Sequence, residues 1–409
     1  MSKNTYLDFD LAIERTTDGY CARVLQSPAG QAATTFKQPL SDLEIDNFFL
    51  RLGRSRGSAR RVESSEMIAA KGVGTALFGA VFGGEVRGCW RASDEEATRS
   101  GAGLRLRLHL GDVPELAGLP WEFLYNPTLN RFLALSTETP IVRYLDLPER
   151  VRPLTVKPPL RILAIVASPT DLPQLDVERE YENLKRALGA LTEVGRVALE
   201  RLSEPTLAGL QRRLRQGEYN VFHFIGHGGF DRQGEDGFLC FESEDRRARQ
   251  VGSQFLGTLL HDHRSFRLAV LNACEGCRGA ACDPFSGTAQ GLVQQGVPAV
   301  IAMQAEISDQ AAITFSEELY SAVAAGYPVD AALAEARKAI FSQVNELEWG
   351  TPVLYMRASD GRIFDVQEIS EEERRQVPQV PKVEAQPVHP KPPPQPPPPT
   401  AAPPPVSPV

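Results

Sequence analysis

The sequence is short of several things, and each shortage narrows what the chain can be. It has no excess of positive charge. Its 44 Lys and Arg stand against 52 Asp and Glu, a formal net charge of −8, which argues against a general nucleic-acid binder. The one basic cluster, "RLGRSRGSARR" at 51–61, is broken by Gly and Ser and has no interleaved aromatics, so it reads as a solvated loop. The opening "MSKNTYLDFD" has no apolar run suited to a signal peptide. The most apolar stretch, "MIAAKGVGTALFGAVFGG" at 67–84, contains Lys71 and five glycines. It reads as a buried helix and turn rather than a membrane span. A cytoplasmic location without a membrane partner is the default expectation, and the six cysteines are then expected to be reduced.

Ligand motifs are missing as well. Cys274, Cys277 and Cys282 have the spacing C-x2-C-x4-C, but a structural zinc site wants a fourth ligand. The nearest candidates, His261 and His263, lie before the strand that leads to Cys274. No metal and no cofactor are expected. The turn "GHGG" belongs to neither G-x-G-x-x-G nor G-x-x-x-x-G-K-[ST], so a nucleotide-phosphate loop is not the reading.

What is present falls into three regions. Residues 1–155 read as a mixed α+β domain. "YLDFDLAIER" sets Leu7, Phe9, Leu11 and Ile13 at period two, and "CARVLQ" follows after the turn "TTDGY", a β-hairpin. "SDLEIDNFFLRL" starts at Ser41 and continues at helical spacing. "LRLRLHL" at 104–110 alternates again, which puts Arg105, Arg107 and His109 on a solvent face. From 156 to 367 the rhythm changes to continuous apolar runs, such as "RILAIVAS", "YNVFHFIGH", "RLAVLNAC" and "PAVIAMQ", separated by helical segments. That pattern predicts an α/β fold with a mainly parallel sheet covered on both faces. Residues 368–409 are charged and then proline-rich. The stretch 376–409 holds 15 of the chain's 32 prolines, so it is expected to be disordered or polyproline II, a linker before it is a docking site.

In such sheets ligands collect at the carboxyl ends of the strands. Two apolar runs stop there at reactive side chains, "HFIGHGGF" at His227 and "LAVLNACEG" at Cys274. A cysteine nucleophile needs a base or cationic neighbour to form its thiolate, and His227 precedes Cys274 by 47 positions. Gly228 and Gly229 let a peptide backbone approach, and the Gly228 N–H is a candidate oxyanion donor. His223 lies inside its apolar run and reads as a buried, hydrogen-bonded supporter, which leaves His227 as the base.

With "HFIGHGGF", "LAVLNACEG", "GVPAVIAMQAEISD", "PVDAALAEARKAI" and "WGTPVLY" in this order over roughly 159–366, the sequence resembles the CHAT family of bacterial caspase-like cysteine peptidases, relatives of caspases, separase and gingipains. "LPWEFLYNP" and "RFLALSTETPIVRYL" resemble the segment that precedes many such domains. The resemblance implies a caspase-like three-layer α/β/α sandwich around a six-stranded, mainly parallel sheet. It implies a dyad of His227 and Cys274, an oxyanion hole from the N–H groups of Gly228 and Cys274, and peptide hydrolysis through an acyl-enzyme. It names no third triad member.

By the same resemblance, the S1 pocket is expected around Asn272, Glu306 and Asp309, whose acidic members favour Arg or Lys at P1. The bland alternative is that Glu306 or Asp309 caps the following helix. With a basic P1, processing after Arg249, in the polar connection 244–253, or after Arg278 becomes an expected route to activation. The implied partners are protein substrates and an upstream activating protease or sensor protein, in bacterial signalling or antiphage defence. The sequence shows no TPR array or nucleotide-sensing domain, so a sensor is expected as a separate partner or in a longer protein. The competing reading is a catalytically silent scaffold on the same fold.

Overall fold

The computed structural model describes residues 5–54, 64–231, 233, 236–273 and 286–368. Most of the basic cluster and almost all of the tail therefore lie outside the described residues. The first half contains strands β1 (Tyr6–Thr16), β2 (Gly19–Gln26) and β3 (Ala33–Phe36), then helices α1 (Asp42–Arg54), α2 (Ser65–Val81) and α3 (Gly84–Arg99). It continues with β4 (Gly103–His109), α4 (Pro114–Ala117), β5 (Tyr125–Asn126), β6 (Arg131–Phe132), β7 (Ile141–Tyr144) and β8 (Leu154–Val156). The second half runs β9 (Leu160–Val166), α5 (Val177–Glu193), β10 (Val197–Arg201), α6 (Leu207–Leu214), β11 (Val221–Gly226), β12 (Gly228–Asp231), β13 (Asp236–Glu242), β14 (Ala248–Gly252) and α7 (Ser253–His261). It closes with β15 (Leu268–Ala273), α8 (Ser286–Gln294), β16 (Ala299–Met303), α9 (Asp309–Ala324), α10 (Val329–Gln343), β17 (Pro352–Met356) and β18 (Phe364–Val366).

The local signals work as physical chemistry requires. Ser41 and Glu44 form a capping box at the start of α1: Ser41 N donates to Glu44 Oε2 at 2.8 Å, and Glu44 N donates back to Ser41 Oγ at 3.4 Å. The apolar stretch at 67–84 becomes α2, with Met67, Ala70, Leu77, Phe78 and Val81 buried, followed by a sharp turn into α3. No single helix among the described residues is long and apolar enough to cross a membrane.

The six expected strands are present in the order β10-β9-β11-β15-β16-β17, and all neighbours are parallel except the β16–β17 pair. The sheet does not stop at these six. It continues through β7, β4, β1, β2 and β3 to eleven strands, with β7 pairing parallel to β17. The change of rhythm near 155 is thus no break in the sheet. A buried polar cluster also ties the halves together: Arg143 on β7 pairs with Glu122 at 2.9 Å, and Gln304 Nε2 donates to the same carboxylate at 3.2 Å.

Two further expectations change. The face of β4 carrying Arg105, Arg107 and His109 is not a solvent face. Arg105 is 2 % exposed and pairs with Asp8 on β1 at 2.7 Å and with Asp330 on α10 at 3.0 Å. Arg107 and His109 both reach Asp10. The alternation was real, but β4 lies inside a wide sheet, where Asp8 and Asp10 on β1 and Asp330 on α10 meet its polar side chains. The connection 244–253 is also not a plain loop. Ala248–Gly252 pairs antiparallel with β13 in a separate three-stranded sheet, β12-β13-β14, between β11 and β15 in sequence.

Helices pack on both faces of the main sheet. α5 lies against α9 on one side, and α7 lies against α8 on the other. The alternation within β11 reflects this layering. His223 reaches Tyr320 on α9, whereas Phe222 and Phe224 meet Phe266 and Phe241 on the opposite face.

Candidate active site

β11 is buried along its whole length, as a central parallel strand made of Val, Phe and Ile should be. Its last residue, Gly226, pairs with Ala273, the last residue of β15. A Cβ at Gly226 would sit 2.9 Å from the Ala167 carbonyl oxygen and 3.0 Å from the Phe224 ring, so only glycine lets the strand end close on its neighbour. The next residue in one chain segment is His227. In the other it is Cys274, which lies outside the described residues together with Cys277, Arg278 and Cys282.

His227 is 6 % exposed, and its Nε2 lies 2.8 Å from the backbone carbonyl of Pro173, in the connection between β9 and α5. A carbonyl oxygen only accepts, so Nε2 carries a proton, and Nδ1 is the basic nitrogen of the neutral ring. This partner is a main-chain atom, and a main-chain acceptor has no sequence signature. The Cys240 N–H donates to the His227 carbonyl at 2.9 Å, and Gly228 stands opposite Leu239. That makes Gly228–Leu239 a non-hydrogen-bonded pair, with the Gly228 N–H turned away from β13 at the edge of the small sheet.

His223 is a different kind of histidine. Its Nδ1 is 2.7 Å from the Tyr320 hydroxyl, and complete burial pushes its pKa down to about 3. Burial likewise raises the pKa of the Tyr320 phenol. Both groups are neutral, and their contact braces β11 against α9, which agrees with a supporting role for His223.

The residues expected around S1 have different partners. Asn272 is buried, and its Nδ2 donates to Glu180 Oε2 on α5 at 3.4 Å. Asp309 begins α9, but its carboxylate is taken by Arg179, with Asn183 Nδ2 donating to it at 3.1 Å. The helix cap is Ser308, held in turn by Glu348. Glu306 is half-buried between β16 and α9. Arg249 is exposed on β14, opposite Phe241.

Glu180 was missed by sequence reasoning, although a signal existed. It falls three residues after Val177 and four before Leu184, on the apolar stripe of α5. Burial, the largest influence on it, raises its pKa.

A cleft of about 1090 Å³ opens beyond the ends of β9 and β10, lined among others by Ser168, Arg201, Glu242, Arg246 and Arg249. Its charges are largely paired internally, as in Arg201–Glu178 and Arg246–Glu242, and His227 does not line it. Among the described residues, no three His, Cys, Asp or Glu side chains are arranged to hold a metal.

Comparison with protein families matches residues 75–374 to the CHAT domain. No curated protein matches the chain. Among solved structures, separase of Saccharomyces cerevisiae in its complex with securin aligns at 18% identity and a TM-score of 0.36, covering 62% of this chain and 15% of that one. The Arg-specific cysteine proteinase gingipain R aligns at 12% identity and a TM-score of 0.38, covering 77% and 74%. The pro- and mature domains of RgpB from Porphyromonas gingivalis align at 11% and 0.36, covering 78% and 76%. This chain thus spans a small part of the separase chain.

Proposed function

Given that this chain belongs to the CHAT-domain family, we propose that it is a regulated cysteine endopeptidase with His227 and Cys274 as its dyad. His227 Nδ1 takes the Cys274 thiol proton, and the thiolate attacks the substrate carbonyl. The same proton passes to the leaving amine, and water then releases the acyl group. The N–H groups of Gly228 and Cys274 receive the oxyanion.

One observation carries the reading. The paired strand ends Gly226 and Ala273 are followed in sequence by a histidine and a cysteine, and the histidine has its Nε2 committed to the Pro173 carbonyl. A buried imidazole held in one tautomer is what a general base requires.

A basic P1 residue belongs to the same proposal, since acidic groups gather where α5 and α9 meet the strand ends. Activation by cleavage after Arg249 or Arg278, by the enzyme itself or by an upstream protease, belongs to it as well. Because Arg249 lies in a paired strand, a cut there requires the hairpin to open. A fully active enzyme shown by mass spectrometry to be intact at both bonds would remove this part. The setting proposed is bacterial signalling or antiphage defence, with protein substrates and a sensor as partners.

The direct test profiles cleavage of a peptide library by the wild type and by Cys274→Ala. Turnover that depends on Cys274 and follows one P1 class supports the proposal. No turnover, even with a candidate activator, favours a silent scaffold.

A further inference from the structure

At the carboxyl end of β15, two acceptors face a shortage of donors. Glu180 carries a half-buried carboxyl that accepts one long hydrogen bond, from Asn272 Nδ2. The neighbouring charges are Arg179, which favours its ionised form, and Asp176, which opposes it. Arg179 is already paired with Asp309, so Glu180 has no ion pair of its own among the described residues. Beside it, Asn272 is 7 % exposed, and its Oδ1 is buried with no hydrogen-bond partner among the described residues. Turning the amide over would set its oxygen against the carboxylate, acceptor to acceptor, so the orientation is the favourable one.

Buried polar groups without partners are uncommon in folded proteins and call for a cause. Here a half-buried carboxyl and a buried amide oxygen lie side by side, the amide two residues before Cys274 in the sequence. The connection that holds His227 through Pro173 leads directly into the helix that carries Glu180. One short stretch of chain therefore positions both the base and this carboxylate.

We propose that Glu180 and Asn272 form the floor of the P1 side-chain pocket and that the pocket selects arginine. The proposal rests on the peptidase reading and names the specificity of that same site. A guanidinium presents five N–H donors in a planar fork. One edge pairs with the Glu180 carboxylate while an adjacent N–H reaches Asn272 Oδ1. A lysine ammonium supplies the charge without the fork. A neutral side chain of the same shape leaves the carboxylate desolvated and unpaired, which a site built on hydrogen bonds rejects strongly. Selectivity thus moves from Asp309, whose charge Arg179 already meets, to a residue on α5.

The test measures binding so that it does not depend on turnover. Peptides ending in arginine, lysine or citrulline at P1 are titrated by calorimetry against full-length Cys274→Ala protein. Citrulline keeps the shape and loses the charge. The arginine peptide should bind at least about tenfold tighter than the citrulline peptide, with lysine between them. Adding Glu180→Gln should erase that ratio. Adding Glu182→Gln, the same charge change on the exposed face of α5, should leave it intact. If Glu180→Gln does not fold, Glu180→Asp should lower the ratio without abolishing it.

Equal binding of the arginine and citrulline peptides, no binding of either, or a ratio that survives Glu180→Gln overturns the proposal. Loss of the ratio in Glu182→Gln overturns it too. Library cleavage by the wild type is run in parallel. Arginine-selective binding without Cys274-dependent turnover sinks the peptidase reading and leaves the pocket standing. Turnover without that selectivity does the reverse.

Discussion

His227 Nε2 donates its proton to the carbonyl of Pro173 across 2.8 Å. The contact sets the tautomer of the candidate base through an atom no side-chain substitution can delete. His227→Ala should lower kcat/KM by about a hundred- to ten-thousandfold, with little change in thermal stability. Pro173→Gly keeps the carbonyl but frees the backbone around it, a change of about 0.4–1 kcal/mol. It should lower kcat about two- to fivefold at constant KM. Undiminished turnover by His227→Ala would remove His227 from the dyad.

His223 and Tyr320 predict a pH dependence of stability. Burial lowers the His223 pKa from 6.5 to about 3. Between those values the unfolded chain holds a proton at this site that the folded chain lacks, so acid favours unfolding. The contribution is complete above pH 6.5 and is lost as pH falls toward 3, by up to about 1.4 kcal/mol per pH unit. Urea denaturation of His223→Asn, which keeps an acceptor for Tyr320 and does not titrate, should show a correspondingly shallower fall. An unchanged slope would contradict the assignment.

Gly237 on β13 lies against the start of α8, the helix that follows the Cys274 segment in sequence. A Cβ there would come within 2.0 Å of the Thr288 backbone nitrogen and 2.4 Å of the Gly287 carbonyl carbon. Backbone atoms cannot swing aside, so Gly237→Ala should cost about 1–3 kcal/mol, read as a lower Tm. Gly79→Ala, where nothing lies within 4 Å, should stabilise α2 by about 0.5–1 kcal/mol.

Asp330 and Arg105 form a buried pair 225 positions apart. Asp330→Ala leaves the Arg105 guanidinium with Asp8, the Ser359 carbonyl and the face of the Tyr6 ring. Breaking such a pair costs about 3–5 kcal/mol, and the low end is expected because Asp8 remains. Chemical denaturation should show this loss, and Arg105→Met in the same chain should recover part of it.

Much of the fold was legible because its signals are local. The apolar runs of β9, β11, β15 and β16 had to be buried on both faces, and their alternation with helices required a parallel sheet. Ser41 and Glu44 announced α1 through a bond spanning three residues. By contrast, β12 and β14, which flank β13 in the small sheet, are short and mostly polar or glycine, so no periodicity marked them. The alternation of β4 was visible, but the partners of its polar face were not, since Asp330, which meets Arg105, lies on a helix far along the chain.

The candidate site divides in the same way. The chain's own order of residues determined that a histidine and a cysteine follow two central strands, because strand length and apolar content are written residue by residue. Tertiary structure alone decided the rest. It gave His227 a main-chain partner, set the Glu180 carboxyl against Asn272, and spent Asp309 on Arg179. Those outcomes depend on which distant groups meet once water is excluded, and desolvation and pairing are properties of the assembled fold.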